Sequence, residues 1–267
     1  KTKLFLFIEK TLAWLVTDKI IVITHQQFDE IHNQFGVGEA KQFEIITLGI
    51  DLEPFQNYRE KRNILREEIG AKDDEILVAL VGRLTEIKNH SFFLQVAKLY
   101  KQRRNSESPK LKFLIIGDGH LRKELEAEAE NIGIKEFITF LGNRNDTDIF
   151  YAGIDIVALT SLNEGTPLSL IEGMANSRAV ISTEVGGVVD LLGNIEKEEE
   201  NISFCERGLR VPLNNLEGFY KGVIYLAEDE KLRAEFGEKG HEFISSKYSK
   251  ETLIKNIKNL YKNLTDQ

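Results

Sequence analysis

Apolar strand patterns alternate with helical patterns along almost the whole chain. Seven runs rich in Val, Ile, Leu and Phe contain few polar residues, and helical segments separate most of them. Near-continuous apolar runs are typical of parallel strands that helices cover on both faces, because neither face of such a strand meets water. The sequence therefore predicts an α/β fold with a parallel sheet between two layers of helices. The predicted strands are 19–24, 43–50, 75–84, 111–119, 137–142, 155–160 and 179–183.

The spacing of the remaining apolar residues predicts the helices. Near the start of the chain, Leu4, Ile8, Leu12 and Leu15 recur at helical spacing and indicate an amphipathic helix. The acidic run 196–200 has no such pattern and is predicted to be a solvated loop. Further helices are expected at 28–36, 89–104, 120–132, 146–152, 167–177 and 187–193, and the tail 214–264 is expected to be almost wholly helical.

Composition excludes several functional classes. The formal net charge of −8 argues against general affinity for nucleic acid. The single Cys205 cannot form an internal disulfide and fits a reducing compartment. No apolar run approaches the ~20 residues that a membrane span requires. These features predict a cytoplasmic protein with, at most, peripheral membrane association and no nucleic-acid partner.

A polar, irregular stretch interrupts the strand and helix pattern after residue 50. It reads "DLEPFQNYREKRN" and precedes the restart of the alternation at residue 75. We interpret it as a linker that leads into a helix. The sequence accordingly predicts a short first part, 1–52, and a second domain, 53–267.

Glycine and polar residues follow five of the predicted strands. The segments are "GR", "GDG", "LGN", "TSLNEG" and "TEVGG". A single glycine after a strand is usually only a turn. Because the carboxyl ends of parallel strands lie at one edge of the sheet, five such segments indicate one continuous cleft there.

The run "NEGTPLSLIEGMA" carries two carboxylates, Glu164 and Glu172, on either side of a predicted helix start. Pro is favoured at the first position of a helix, so the helix is expected to begin near Pro167. The free N–H groups of Leu168, Ser169 and Leu170 would then form an anion site with a carboxylate on each side. A ligand that bears both phosphate and hydroxyl groups would use all three parts.

Four segments give the chain a resemblance to a known family. "VGRLTEIKNH", "IIGDGHLRKELE", "FLGNRND" and "SLNEGTPLSLIEGMANSRAVISTEVGG" resemble the donor half of the retaining GT-B glycosyltransferases of family 4, the glycogen-synthase-like kind. The likeness runs from about residue 43 to the end, and it implies that the final helix, 249–264, packs back on the N-terminal part. It implies a Rossmann-like C-terminal domain that binds a nucleotide sugar, most commonly UDP-linked, without a metal or other cofactor. The acceptor would be a carbohydrate, a lipid-linked sugar or another small molecule.

The resemblance also implies roles for individual residues. Arg83 and Lys88 would neutralise the donor diphosphate, whose charge must be met by cations when no metal is present. Glu172 would accept hydrogen bonds from the two ribose hydroxyls. Glu164 would lie beside the transferred sugar, and it is the catalytic candidate together with the two cations. The remaining binding candidates are Gly82, Gly117, Asp118, Leu141, Gly165, Thr166, Leu168 and Ser169.

One departure from the family leaves alternatives open. Only about 50 residues precede the linker, whereas the family's acceptor domain is of ordinary domain size, on the order of 150–200 residues. The first 52 residues are therefore expected to be part of an acceptor domain. Either the sequence is a fragment of a longer protein, or the acceptor domain is supplied elsewhere. A non-catalytic nucleotide-sugar-binding module is a second hypothesis. Another GT-B enzyme, such as a sugar-nucleotide epimerase, is a third, although no acid/base set of carboxylates and histidine is apparent.

Overall fold

A computed structural model describes residues 2–266, which form two units. The described residues of Lys1–Asp51 and Ser246–Gln267 make up the smaller unit, and Leu52–Ser245 make up the larger one. Within residues 2–266, no helix is both long enough and apolar enough to cross a membrane.

The larger unit contains an eight-stranded sheet. Its strands are β3 (Glu75–Val81), β4 (Lys110–Ile116), β5 (Ile138–Gly142), β6 (Ile156–Leu159), β7 (Ala179–Thr183), β8 (Ile195–Glu199), β9 (Ile202–Cys205) and β10 (Gly208–Val211). Their order across the sheet is β5-β4-β3-β6-β7-β10-β9-β8. The first six in this order pair in parallel, whereas β9 and β8 pair antiparallel at one edge.

Helices surround this sheet and bury both of its faces. Val78 and Leu80 of β3 belong to one core cluster, and their alternate neighbours Leu77 and Ala79 are also fully buried. This two-sided burial explains the near-continuous apolar strands and confirms the predicted fold class. The helices are α3 (Tyr58–Glu68), α4 (His90–Arg103), α5 (Arg122–Asn131), α6 (Thr147–Gly153), α7 (Leu168–Ala175), α8 (Val188–Leu192), α9 (Leu216–Glu228) and α10 (Glu230–Lys247).

The prediction for the acidic run 196–200 was wrong. Residues Ile195–Glu199 form β8, whose side chains are mostly exposed. This strand lies at the edge of the sheet, where charged side chains keep other chains from pairing with it. The apolar pattern could not reveal such a strand because β8 buries almost nothing. The neighbouring β9 and β10 were likewise not predicted.

The smaller unit contains two short parallel strands, β1 (Ile20–Val22) and β2 (Phe43–Ile45). The predicted strands 19–24 and 43–50 are therefore longer than the observed ones. Thr24 ends the first because its side chain accepts a hydrogen bond from Gln27 N and caps the next helix. The predicted helix 28–36 is a short α-helix followed by a π-helix. The helices here are α1 (Thr2–Leu15), α2 (His25–Phe28), the π-helix Asp29–Gln34 and α11 (Lys250–Thr265).

The amphipathic helix predicted near the start of the chain is α1. Several of its large apolar side chains are exposed, among them Phe7 at 67% and Trp14 at 79%. Ala13, by contrast, is buried at 3% exposure. The pattern thus predicted the helix correctly, but it did not predict which apolar residues are covered.

Candidate functional site

The strand order places a crevice at the carboxyl ends of β3 and β6. From β3 the chain continues to β4 and β5 on one side, and it returns with β6, β7 and β10 on the other. Ligands of open α/β sheets bind outside the strand ends at such a reversal. The loops after β3 and β6 are joined there, since Leu162 N donates to Ile87 O at 2.8 Å and Thr160 Oγ1 donates to Lys88 O at 2.9 Å.

A cavity of about 540 Å³ lies at this point. Ten of the twelve residues predicted for the site line it, and they come from three separate loops and from helix α7. These are Gly82, Arg83, Lys88, Gly117, Asp118, Glu164, Thr166, Leu168, Ser169 and Glu172. Six more residues complete the lining, namely Val81, Ile116, Asn143, Arg144, Thr147 and Phe150.

Two predicted site residues do not line the cavity. Leu141 belongs to β5, and the residues that reach the cavity from this part of the chain are Asn143 and Arg144, just beyond the strand. Gly165 has no side chain to contribute, and its carbonyl oxygen faces Gly187 instead. After β5, the residues that line the cavity therefore lie two or three positions beyond the predicted Leu141.

Close backbone contacts define the shape of the cavity. A Cβ atom on Gly117 would lie 2.0 Å from the carbonyl oxygen of Gly82, and the φ angle of Gly117 is +136°. A Cβ atom on Gly187 would lie 1.9 Å from the carbonyl oxygen of Gly165. Both positions therefore require glycine. These contacts hold the loops after β3 and β4 together and hold the loop after β6 against the start of α8.

The start of α7 presents polar groups to the cavity. The hydroxyl groups of Thr166 and Ser169 are buried, yet neither has a hydrogen-bond partner among the described residues. The N–H of Leu170 is not free as predicted, because it donates to Pro167 O at 3.0 Å. The N–H groups of Leu168 and Ser169 make no such bond within residues 2–266. Two amides and two hydroxyls thus form a site suited to an anion.

One oxygen atom of the Glu164 carboxylate takes part in both an ion pair and a hydrogen bond. Lys88 Nζ lies 2.5 Å from Glu164 Oε1, and Ser161 Oγ donates to the same oxygen at 2.5 Å. The side chains of Lys88 and Glu164 are only 20% and 10% exposed. The sequence did not identify Ser161, because a serine three residues before an acid is unremarkable without the fold.

The two arginines of the cavity have different surroundings. Arg83 is exposed and makes no ion pair with any described residue. Arg144 is bound to Glu68 at 2.5 Å and to Asp146 at 2.5 Å. These two carboxylates raise the pKa of Arg144, and Arg144 in turn lowers the pKa of Asp146. Arg83 is therefore available for a ligand, whereas Arg144 is already neutralised.

Glu172 lines the cavity from helix α7, whereas Glu164 lines it from the loop before that helix. Burial raises the pKa of the Glu172 carboxyl, and the nearby hydroxyl of Tyr151 opposes that shift. Tyr151 is fully buried, and its hydroxyl has no hydrogen bond of normal geometry among the described residues. A partly desolvated carboxylate of this kind is suited to accept hydrogen bonds from ligand hydroxyl groups.

Metal ligands are not grouped in the described part of the chain. Residues 2–266 contain no set of three or more His, Cys, Asp or Glu side chains placed to hold a metal ion. The positive groups that line the cavity are Arg83, Lys88, the start of α7, and Arg144 with its two carboxylate partners.

His90 is a buried neutral histidine directly beside the cavity loop. It is 1% exposed, and neither ring nitrogen has a partner among residues 2–266. Burial, with the positive Lys88 nearby, lowers the pKa of His90 to about 4 from an ordinary value of 6.5. The folded protein therefore holds this ring neutral at a pH where the unfolded chain binds a proton.

This difference predicts a loss of stability in mild acid. A depressed pKa contributes stability above pH 6.5, and that stability is lost as the pH falls from 6.5 toward about 4. Between pH 7 and pH 5 we expect about 2 kcal/mol less free energy of unfolding from this group. His90→Leu should remove that part of the dependence, as measured by urea unfolding at both pH values. An unchanged pH dependence in the variant would contradict the assignment.

The chain was also compared with known proteins. Residues 61–243 match the protein family described as glycosyl transferases group 1. That match covers well over half of the chain. The chain belongs to this family. Its sheet and helices are accordingly those of a GT-B glycosyltransferase domain, as the resemblance implied.

Curated relatives of the family match over longer segments. The UDP-Gal:α-D-GlcNAc-diphosphoundecaprenol α-1,3-galactosyltransferase of Escherichia coli is 26% identical over 213 residues, which are 79% of this chain and 52% of that protein. An N-acetylgalactosaminyltransferase of Campylobacter jejuni, which acts on a diphospho-undecaprenol-linked sugar, is 30% identical over 86% of this chain and 56% of that protein. The chain thus spans little more than half of these relatives.

Solved structures share the fold. Anabaena HepE in complex with UDP superposes with a TM-score of 0.81 at 18% identity, and the match covers 100% of this chain and 69% of that one. The same protein in complex with UDP-glucose gives a TM-score of 0.78 at 19% identity, with the same coverage. At these identities the likeness establishes the architecture alone.

Proposed function

We propose that the larger unit binds a nucleotide-sugar donor, most simply a UDP-sugar, as part of a glycosyltransferase. The observation that carries this proposal is the convergence of unused groups on one cavity. Free Arg83, the unpartnered hydroxyls of Thr166 and Ser169 and the amides of α7 suit a phosphate, while Glu172 suits a diol. The UDP-galactose named for the Escherichia coli relative supports the choice of nucleotide.

The diphosphate would bind between the cations and the start of α7. A nucleoside diphosphate leaves with roughly two to three negative charges, which must be met by positive groups. Lys88 is positioned by its bond to Glu164, and a lysine ammonium has three donors, so it can contact a phosphate as well. These contacts support a metal-independent reaction.

Glu164 and Glu172 would act on different parts of the donor. Glu172 would accept hydrogen bonds from the ribose hydroxyls on the nucleoside side of the diphosphate. Glu164 would lie beside the transferred sugar, where a carboxylate stabilises the positive charge that develops at the anomeric carbon. Arg83 and Lys88 would stabilise the leaving diphosphate.

Transfer with retention of configuration follows from the resemblance to family 4. The leaving phosphate would help to deprotonate the acceptor on the same face of the sugar. A carbohydrate acceptor on a lipid diphosphate is the class named for both curated relatives. We extend that class to this protein.

The other two hypotheses receive less support. An epimerase would need an acid/base set in the cavity, and the lining residues of the described chain include no histidine. A non-catalytic binding module would bind the same ligand without turnover. Family membership favours the enzyme.

A ligand panel tests the proposal. Calorimetric titration of the chain with UDP, ADP and GDP should give the tightest binding for UDP, and EDTA should leave that binding unchanged. The cations of the cavity supply the positive charge that a metal would otherwise provide. Failure of all three nucleotides to bind would refute the donor site, and loss of UDP binding in EDTA would refute metal independence.

A further inference from the structure

Resting on the donor site proposed above, we infer that Ser161 is a positioning residue for Glu164. Its buried hydroxyl fixes one oxygen of the carboxylate and leaves the other for the transferred sugar. This role concerns the sugar part of the donor and not the nucleotide. It therefore predicts a specific defect when the hydroxyl is removed.

The hydroxyl of Ser161 is committed to Glu164. Ser161 is 0% exposed, and Oγ lies 2.5 Å from Glu164 Oε1. A serine hydroxyl has one proton to donate, and this acceptor takes it. Within the described chain, Glu164 Oε2 accepts no hydrogen bond from any side chain, so the carboxylate is held through one oxygen only.

The backbone around Ser161 is fixed from three directions. Thr183 Oγ1 donates to Ser161 O at 2.7 Å, and Leu162 N donates to Ile87 O at 2.8 Å. Gly187 N donates to Glu164 O at 3.1 Å. The serine is therefore attached to a rigid loop, and a rigid loop can hold a side chain within the narrow range that a substrate contact requires.

Ser161 becomes more important when the donor binds. In the structure, Glu164 Oε1 accepts hydrogen bonds from both Ser161 Oγ and Lys88 Nζ. A diphosphate next to Lys88 would share the three donors of the ammonium group with Glu164 and would weaken the hold of Lys88 on the carboxylate, since both partners are anions. Ser161 is neutral and buried, so its bond to the carboxylate does not face that competition. It is the contact that continues to orient Glu164 in the complex.

The test compares UDP with UDP-sugars. Calorimetry gives the dissociation constants of the wild-type protein for UDP and for four UDP-sugars, which carry glucose, galactose, N-acetylglucosamine and N-acetylgalactosamine. The UDP-sugar that the wild-type protein binds most tightly is then used with the variants. Ser161→Ala should weaken binding of that UDP-sugar by about ten- to a hundredfold, which is the effect of losing a hydrogen bond to a charged group. It should change the affinity for UDP by less than about twofold, because the proposed role of Ser161 concerns the sugar and not the nucleotide.

Ser182→Ala serves as the matched control. Ser182 is equally buried, but its hydroxyl donates to the carbonyl oxygen of Thr183 at 2.8 Å, and it does not line the cavity. Ser182→Ala should leave both dissociation constants at their wild-type values. If Ser161→Ala fails to fold, Ser161→Cys keeps a side chain of similar size with a much weaker donor. It should shift UDP-sugar affinity in the same direction.

A double-mutant cycle distinguishes positioning from a structural role. In the Glu164→Ala background, Ser161→Ala should have no further effect on UDP-sugar binding, because there is no carboxylate left to orient. Equal weakening of UDP and UDP-sugar by Ser161→Ala, or additive effects in the cycle, would overturn the inference. Wild-type protein that binds no UDP would instead refute the proposed function.

Discussion

Glu172→Ala is expected to weaken UDP binding by about ten- to a hundredfold, the effect of losing a charged acceptor of ~1.5–3 kcal/mol. The same substitution should weaken 2′-deoxy-UDP much less, because that ligand has already lost one of the two hydroxyl groups that the carboxylate would bind. Burial of Glu172 makes each of these bonds stronger than it would be in water. Calorimetric titration of both ligands against both proteins measures the difference.

The control for this experiment is Glu124→Ala. Glu124 is an exposed acid in the first turn of α5, and it lies outside the cavity lining. Its removal should leave the affinities for both ligands unchanged. Equal losses of affinity for UDP and 2′-deoxy-UDP in Glu172→Ala would show that this carboxylate does not bind the ribose hydroxyl groups.

Lys88→Ala is expected to weaken UDP binding by about ten- to a hundredfold, because it removes a charged hydrogen-bond donor to the diphosphate. It also leaves Glu164 poorly exposed and without its cation, so the free energy of unfolding should fall by about 1–3 kcal/mol. The two effects can be separated. The double variant Lys88→Ala/Glu164→Ala should regain most of the stability, while its UDP affinity should remain low.

Lys61→Ala is the matched control for this prediction. Lys61 Nζ lies 2.7 Å from Asp148 Oδ2, and both side chains are 27% exposed, but the lysine does not line the cavity. Its removal should affect stability only. UDP affinity that survives in Lys88→Ala would mean that Lys88 serves only to hold Glu164.

Much of the site could be predicted because its chemistry lies in contiguous segments. Glu164, Thr166, Ser169 and Glu172 belong to one stretch of sequence, and the strand that precedes it has a clear apolar pattern. The rule for strand ends then placed Arg83 in the same crevice. The fold class followed from the same strands, since their two-sided burial leaves a strong signal in the sequence.

The parts that were missed become apparent only from the folded structure. Arg144 reaches the cavity from a loop whose direction is set by its bonds to Glu68 and Asp146. Ser161 gains its partner only when the loop folds back on itself and brings Glu164 beside Lys88. The edge strand β8 buries almost no side chain, so apolar periodicity had no signal there. The sequence carries no local pattern for any of these three features.

Hydrogen–deuterium exchange with and without a saturating UDP-sugar tests the central claim most directly, since it locates the bound ligand in the chain. The predicted result is slower exchange of the backbone amides in residues 164–172 and in the loop 82–88, because the ligand would restrict the local opening of these segments. Protection confined to other segments, or no protection at saturating ligand, would contradict the assignment of this cavity as the donor site.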